Sequence, residues 1–145
     1  MTMPEPWPDL AGRLAGGRHV LPIRVYYEDT DFSGIVYHAN YLKYCERGRS
    51  DCLRLLGIHH HRLGDLVFVV RHMVCDFRKS ARIDDLLEVE TRFVELAGAR
   101  IEIAQQVTQG REVLFTAQVT VAVVDRAGRP KRIRPEIRTA MTFPS

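Results

Sequence analysis

The sequence predicts an α+β domain in which a five-stranded antiparallel sheet wraps around one long central helix. Three observations carry this prediction. Only residues 38–56 keep helical periodicity over a long run. Five other stretches alternate apolar and polar residues as strands do. The last four of these are joined mainly by tight, glycine-containing turns, which make antiparallel neighbours. One helix cannot cover both faces of such a sheet, so the sheet curls around the helix's apolar face. The bare face and open edges favour self-association.

Taken in order, residues 1–19 read as a flexible leader. Pro4, Pro6 and Pro8 prevent regular pairing, and Gly12, Gly16 and Gly17 loosen the chain around them, with a short helical turn allowed at 9–15. A single domain then occupies 20–145. Residues 20–28 alternate, with Ile23, Val25 and Tyr27 on one face, and Asp29 to Gly34 has turn composition. In the helix, Tyr41, Tyr44, Cys45, Gly48, Cys52, Leu55 and Leu56 share one face, and Gly57 is a natural stop. At 1.5 Å per residue this helix is about 28 Å long. Strands come next at 67–78 (Val67, Val69, Met73, Cys75 and Phe77 together), 85–96 (Leu87, Val89, Thr91, Phe93), 99–108 (Ile101, Ile103, Val107) and 112–125 (Val113, Phe115, Val119, Val121, Val123). Ala97-Gly98, Gln109-Gly110 and Ala127-Gly128 are the turns.

Composition narrows the function. A chain of 145 residues and 16.6 kDa fits one domain. No uncharged apolar run approaches the ~18 residues of a membrane-spanning helix, and no signal-peptide pattern is visible. Cys45, Cys52 and Cys75 cannot all pair and lack metal-ligand spacing, which suits a reducing cytoplasm. Residues 126–138 hold six basic side chains against Glu136, a local charge of +5 in a chain of net +3. This local basicity suits an anionic ligand, an acidic partner or a membrane periphery, and a solvated basic tail is the plain alternative. No recognition helix or aromatic-basic platform points to nucleic acid. His59, His60 and His61 are adjacent just past a helix stop, where ligands rarely converge on a metal, so they read as a surface loop.

The chemistry concentrates between Tyr26 and Gly57. Glu28, Asp29 and Asp31 lie where a strand ends, just before the helix starts. A helix start offers free backbone N–H groups and the positive end of the dipole. An acid beside such donors can attack a carbonyl, or aim water at it, while an N–H stabilises the oxyanion. An acidic helix cap with a flexible glycine is the alternative on spacing alone.

The run from Tyr27 to Tyr41, YEDTDFSGIVYHANY, with Glu46, Arg47 and Arg49 downstream, resembles the signature of hotdog-fold acyl-CoA thioesterases. It is similar to the 4-hydroxybenzoyl-CoA thioesterase family and, within it, to the Tol-Pal-associated branch. The likeness extends through Phe68 to Arg71, Ala81 to Asp85 and the basic tail, over residues 20–143. It implies a hotdog fold, a homodimer or homotetramer, and an active site at the dimer interface beside the helix start. It implies hydrolysis of acyl-CoA thioesters, with coenzyme A as part of the substrate and no metal or nicotinamide cofactor. Asp31 matches the catalytic acid, as nucleophile or as general base. His38 matches the helix-start donor through its backbone N–H, with its ring as a second candidate for proton transfer. Tyr27, Val36 and Tyr37 are candidate pocket residues, with core packing as the alternative for the tyrosines. Arg78, Lys79, Arg82, Arg132 and Arg134 have the chemistry to meet coenzyme A phosphates. The rival reading is a non-catalytic adaptor for an acyl carrier protein or an envelope complex. A hotdog dehydratase would need a different His and acid placement.

Overall fold

The computed structural model describes residues 6–143, so Pro4 of the expected leader lies outside the described residues. Strands β1 (Arg13–Ala15), β2 (Arg18–Arg24), β3 (Val67–Phe77), β4 (Leu86–Ala97), β5 (Arg100–Gln109) and β6 (Glu112–Val124) form one antiparallel sheet in the order β1-β2-β4-β5-β6-β3. Helix α1 (His38–Leu55) packs on β2, β4 and β5, and a short α2 (Pro135–Met141) comes after the last strand. The α+β architecture of a sheet around one long helix is as expected, with six strands rather than five.

The additional strand comes from the segment expected to be irregular. Ala15 pairs with Arg18 across Gly16 and Gly17, whose φ values of +63° and +72° suit a two-residue hairpin turn. The two glycines therefore direct the chain rather than loosen it. Residues 7–12 make turns, and no helix forms at 9–15. At Gly12, an added Cβ would stand 2.2 Å from the Val20 carbonyl oxygen, so only glycine lets this backbone lie on β2.

β2 ends at Arg24, short of the expected 28. Val25 still pairs with the 84–85 backbone, but Tyr27–Asp29 coils into a 3₁₀ turn. In β3 the register slips between Val70 and His72, leaving Arg71 unpaired. This bulge inverts the alternation. Phe68 and Val70 turn toward the helix instead of Val67 and Val69, while Met73 and Cys75 keep the expected face.

On α1, Tyr41, Tyr44, Cys45, Gly48 and Cys52 are buried as expected, Asn40 joins them, and Leu55 is exposed. A Cβ on Gly48 would lie 2.9 Å from Val89 and 3.0 Å from Thr91, so this glycine sets how closely the helix approaches β4. Burial pushes the Cys45 and Cys52 thiols up to about 12, which leaves both inert at neutral pH. Helix α2 was hidden in the basic tail. Pro135 opens it, and Ile133, Ile137 and Met141, four residues apart, bury one stripe against the core.

Candidate active site

The loop between β2 and α1 is built around Asp29. Its buried carboxylate accepts hydrogen bonds from Tyr26 N (2.9 Å) and Asn40 Nδ2 (3.0 Å), while its carbonyl accepts one from Tyr37 N (2.9 Å). These bonds fasten both ends of the loop to the first turn of α1. Beyond Asp29 the chain forms a narrow hairpin, with Thr30 bridged to Val36 and Asp31 N donating to Ile35 O (2.9 Å). The tip closes through Gly34 N to Asp31 O (3.0 Å), with Gly34 at φ +80°. Val36 N donates to Ala81 O (2.9 Å), and Tyr41 Oη accepts a bond from Ala81 N (2.9 Å), so the 79–82 segment braces the hairpin from outside.

Asp31 stands at the base of this tip, half-buried. Its Oδ1 accepts a bond from Ser33 N (2.8 Å), which fixes the carboxyl plane. Among the described residues, Oδ2 accepts no hydrogen bond. Seven residues on, α1 opens without a side-chain cap at Tyr37, whose backbone is extended. Asn40 N is already bonded to Tyr37 O (2.8 Å). The N–H groups of His38 and Ala39 have no acceptor among the described residues. An open carboxylate oxygen and open helix-start donors thus occupy one loop-and-turn unit. That pairing can work on a carbonyl carbon while stabilising negative charge on its oxygen.

The candidate residues divide by position. Asp31, Tyr27, Tyr37 and His38 sit on this unit. Tyr27 is 83% exposed and Tyr37 is also exposed, so core packing does not explain them. Val36 is the reverse, with its side chain buried and its N–H held by Ala81 O. The His38 ring is exposed and packs on Tyr37 (centroids 4.3 Å apart) and edge-on to Phe77 (6.3 Å). Arg78, Lys79 and Arg82 lie beside the hairpin, but Arg78 is paired with Asp76 and Lys79 with Glu112. Arg82, bridged by its backbone to Ile35, donates its backbone N–H to Asp85 Oδ2 (2.9 Å), and its guanidinium makes no ion pair among the described residues. Arg132 and Arg134 lie elsewhere. Arg134 donates to Leu63 O (2.6 Å), beyond the far end of α1, and Ile133 N bonds to Gly98 O (2.9 Å). An 18-residue helix, about 27 Å long, separates that corner from His38. One protomer does not bring the five cations together.

Two buried polar contacts were not anticipated. The Asp29–Asn40 lock is one, and a polar residue at the third position of a helix start was its available signal. The other is Gln105, on the inward face of β5 between Ile103 and Val107. Its Nε2 donates to Cys45 O (2.8 Å) and Thr91 Oγ1 (2.9 Å), and its Oε1 accepts a bond from Arg49 (2.9 Å). The His59 and His61 rings lie near each other, tilted by 35° with centroids 5.6 Å apart, but among the described residues no three His, Cys, Asp or Glu side chains are placed to hold a metal. None of the described helices is long and apolar enough to cross a membrane.

A curled antiparallel sheet around one helix, with an acid-bearing hairpin at the helix start, defines a hotdog domain of the thioester-cleaving kind. The family model of the thioesterase superfamily matches residues 33–124, and the chain belongs to that superfamily. It is 42% identical to a Haemophilus influenzae protein named acyl-CoA thioesterase YbgC, over 82% of this chain and 90% of the relative. It is 37% identical to an Escherichia coli O157:H7 protein named acyl-CoA thioester hydrolase YbgC, over 79% and 84%. A probable thioesterase from Bartonella henselae, known from its crystal structure, is 44% identical and superposes with a TM-score of 0.77, over 81% of this chain and 99% of that one.

Proposed function

We propose that this protein hydrolyses acyl-CoA thioesters to a free acid and coenzyme A thiol, with Asp31 as the reacting acid. The observation that carries this reading is the open Oδ2 of Asp31 on the same loop-and-turn unit as the open His38 N–H. The thioester oxygen accepts a bond from that N–H, and negative charge grows there as the carbonyl carbon becomes tetrahedral. Asp31 Oδ2 either bonds to the carbon directly or removes a proton from a water that does. The carbon–sulfur bond then breaks and the thiolate leaves; in the water route it takes up the proton that Asp31 removed, and in the direct route water attacks the Asp31 carbonyl of the resulting anhydride, freeing the acid and supplying the proton to the thiolate. A thioester is already activated, so an acid and one donor suffice. A single turnover in ¹⁸O-water distinguishes the routes, because only direct attack leaves label in the Asp31 carboxyl. Release of free thiol from acyl-CoA by wild type and its loss in Asp31→Asn test the whole reading.

Coenzyme A phosphates meet the Arg82 guanidinium, which lies beside the hairpin and makes no ion pair among the described residues. A second copy completes the site. Phe32, Tyr27, Tyr37, Phe77 and Ile83 are exposed around the hairpin, and β3 presents a free edge lined by exposed Val67, Val69 and Val74. A homodimer or tetramer that covers this rim would also bring a partner's basic corner nearer the helix start. The basic 126–138 stretch supports an acidic acyl carrier protein as a second thioester donor. It also supports peripheral contact at the inner membrane, and the free Cys45, Cys52 and Cys75 suit a cytoplasmic location. A purely adaptor role would leave the open acid without work, and thiol release from acyl-CoA separates the two roles.

A further inference from the structure

The Asp31 hairpin is held from two sides that share no residue. On the inside, Asp29 fastens it to Tyr26, Tyr37 and Asn40. On the outside, Val36 N donates to Ala81 O (2.9 Å) and Ile35 is bridged to Arg82. The ends of this outer segment are tied to strands. Arg78 N and Lys79 N donate to Leu114 O on β6 (2.8 and 3.1 Å), and Asp84 N donates to Val25 O just past β2 (2.9 Å). Its middle is tied to the core by Tyr41. The hydroxyl of this buried helix residue accepts a bond from Ala81 N (2.9 Å) and reaches Lys79 O at 3.5 Å.

The Tyr41 ring has little freedom. It stacks on Phe115, with centroids 5.3 Å apart and planes 15° apart, and meets Phe77 edge-on at 6.0 Å. The hydroxyl is therefore aimed in one direction. Burial raises its pKa above the ordinary 10, against the Ala81 bond and with the Asp85 charge adding to the rise. It stays a neutral O–H, able to accept at Ala81 and donate toward Lys79. Ala81 is wholly buried, so its N–H would lose its acceptor along with the Tyr41 hydroxyl. The backbone would then turn outward to find water, and the next residue along is Arg82. The Arg82 guanidinium makes no ion pair among the described residues, so the backbone that carries it decides where it stands. The Tyr41 hydroxyl thus sets the place of this cation relative to Asp31.

Resting on the thioesterase reading and its Arg82 contact, we propose that Tyr41 is a positioning residue for coenzyme A. By holding Ala81, it aims the Arg82 guanidinium at the phosphates of the leaving group. Asp29 orders the parts that react, and Tyr41 orders the part that chooses the thiol carrier. Two thioesters with the same acyl group are then told apart at the far, phosphorylated end of the thiol.

The test uses butanoyl, dodecanoyl and benzoyl groups, each presented on coenzyme A and on pantetheine, which carries no phosphate. The readout is the ratio of kcat/KM on coenzyme A to kcat/KM on pantetheine, which does not depend on how much of a preparation is folded. In wild type the ratio is expected to favour coenzyme A by about tenfold or more. Tyr41→Phe keeps the ring and is expected to lower the ratio about five- to tenfold, through KM for the coenzyme A substrate with kcat little changed. Arg82→Gln is expected to lower the ratio as far, and the double variant no further than Arg82→Gln alone. An unchanged ratio in Tyr41→Phe, through equal losses on both carriers or none, would leave Tyr41 a role in the fold alone, and additive losses in the double variant would detach it from Arg82. Either result overturns the proposal. Should Tyr41→Phe fail to fold, amide exchange at Ala81 and Arg82 in wild type decides. Coenzyme A is expected to slow it and pantetheine to leave it unchanged, and exchange that neither slows overturns the proposal. Wild type that cleaves both carriers equally well overturns the phosphate contact and this proposal while leaving the hydrolase intact. Wild type that releases thiol from none of these thioesters overturns the hydrolase reading itself.

Discussion

Asn40 Nδ2 donates a 3.0 Å hydrogen bond to Asp29 Oδ1, and both side chains are buried. This bond fastens the loop that carries Asp31 to the turn that carries the open N–H groups, so it sets the spacing of the two reacting parts. Replacing Asn40 with alanine leaves a buried carboxylate oxygen short of a partner, a cost of about 1–3 kcal/mol. The expected result is a melting midpoint lower by several degrees and a kcat lower by about tenfold or more with KM little changed, since a misplaced group harms the reaction more than binding. Calorimetry and steady-state kinetics on one preparation check both. A variant with lower stability and wild-type kcat would show that the bond serves only the fold.

Asp31→Asn keeps the size and the Ser33 contact but removes the charge. Asp31 is half-buried at a loop tip and supports no buried element. The expected outcome is a melting midpoint within a degree or two of wild type and a fall in kcat of about 10²–10⁴-fold. Retention of near wild-type turnover would remove Asp31 from the reaction.

The backbone and the ring of His38 can be separated because His38 is the first residue of α1. Proline is well tolerated at that position, and the extended Tyr37 before it (φ −63°, ψ 134°) already has the conformation that precedes proline. His38→Pro thus removes the N–H while the helix persists, and the expected loss is about 10²–10³-fold in kcat. His38→Ala keeps the N–H and removes a ring that packs on the Tyr37 and Phe77 rings, so a smaller loss is expected. Circular dichroism confirms the helix in both variants. Equal losses would assign the work to the imidazole.

Local pattern and long-range placement differed in how far the sequence revealed them. The α1 limits, the Gly98 and Gly110 hairpins and the inward rows of β4 to β6 arise from periodicity and turn chemistry, which act within a few residues. The Asp31 hairpin and the helix start were legible for the same reason, since all their residues lie within one short segment. What periodicity cannot encode is a break in itself. The Arg71 bulge reverses the facing of half of β3, yet it looks like continued alternation. Arg132 and Arg134 could be grouped with Arg82 by charge alone, and only tertiary folding sends them to the far end of α1. Helix α2 was obscured because a basic, proline-flanked stretch reads as a tail, although Ile133, Ile137 and Met141 already carried the helical stripe.

Gly48 tests the helix–sheet contact. In an isolated helix, alanine in place of glycine gains about 1 kcal/mol. Here the added methyl would press on Val89 and Thr91 at 2.9 and 3.0 Å, under the Gln105 bonds, and overpacking of this kind costs about 1–3 kcal/mol. The steric cost outweighs the propensity gain, so Gly48→Ala is expected to lower stability in denaturant unfolding. A stabilised variant would mean that α1 can lift from β4 freely.

His19 gives the fold an acid limit. It is wholly buried on β2 and its Nε2 donates to Ala11 O (2.6 Å), which leaves Nδ1 unprotonated and without a partner. Protonation would bury a charge and an unsatisfied donor, so desolvation holds the imidazole pKa below its ordinary 6.5, against the opposing Ala11 bond and the nearby Asp51. With the folded value depressed, the unfolded chain binds more protons between the two pKa values. Stability from this group is therefore complete above about pH 6.5 and declines as pH falls, by at most about 1.4 kcal/mol per unit. Because the Ala11 bond holds the chain just ahead of β1, the same acidification should expose residues 11–15 first. His19→Gln can keep a donor near Ala11 without titrating. Urea midpoints between about pH 7 and pH 5 should fall more steeply in wild type than in this variant, and amide exchange at 13–15 should quicken in wild type alone. Parallel pH profiles for the two proteins would assign the acid sensitivity to other groups.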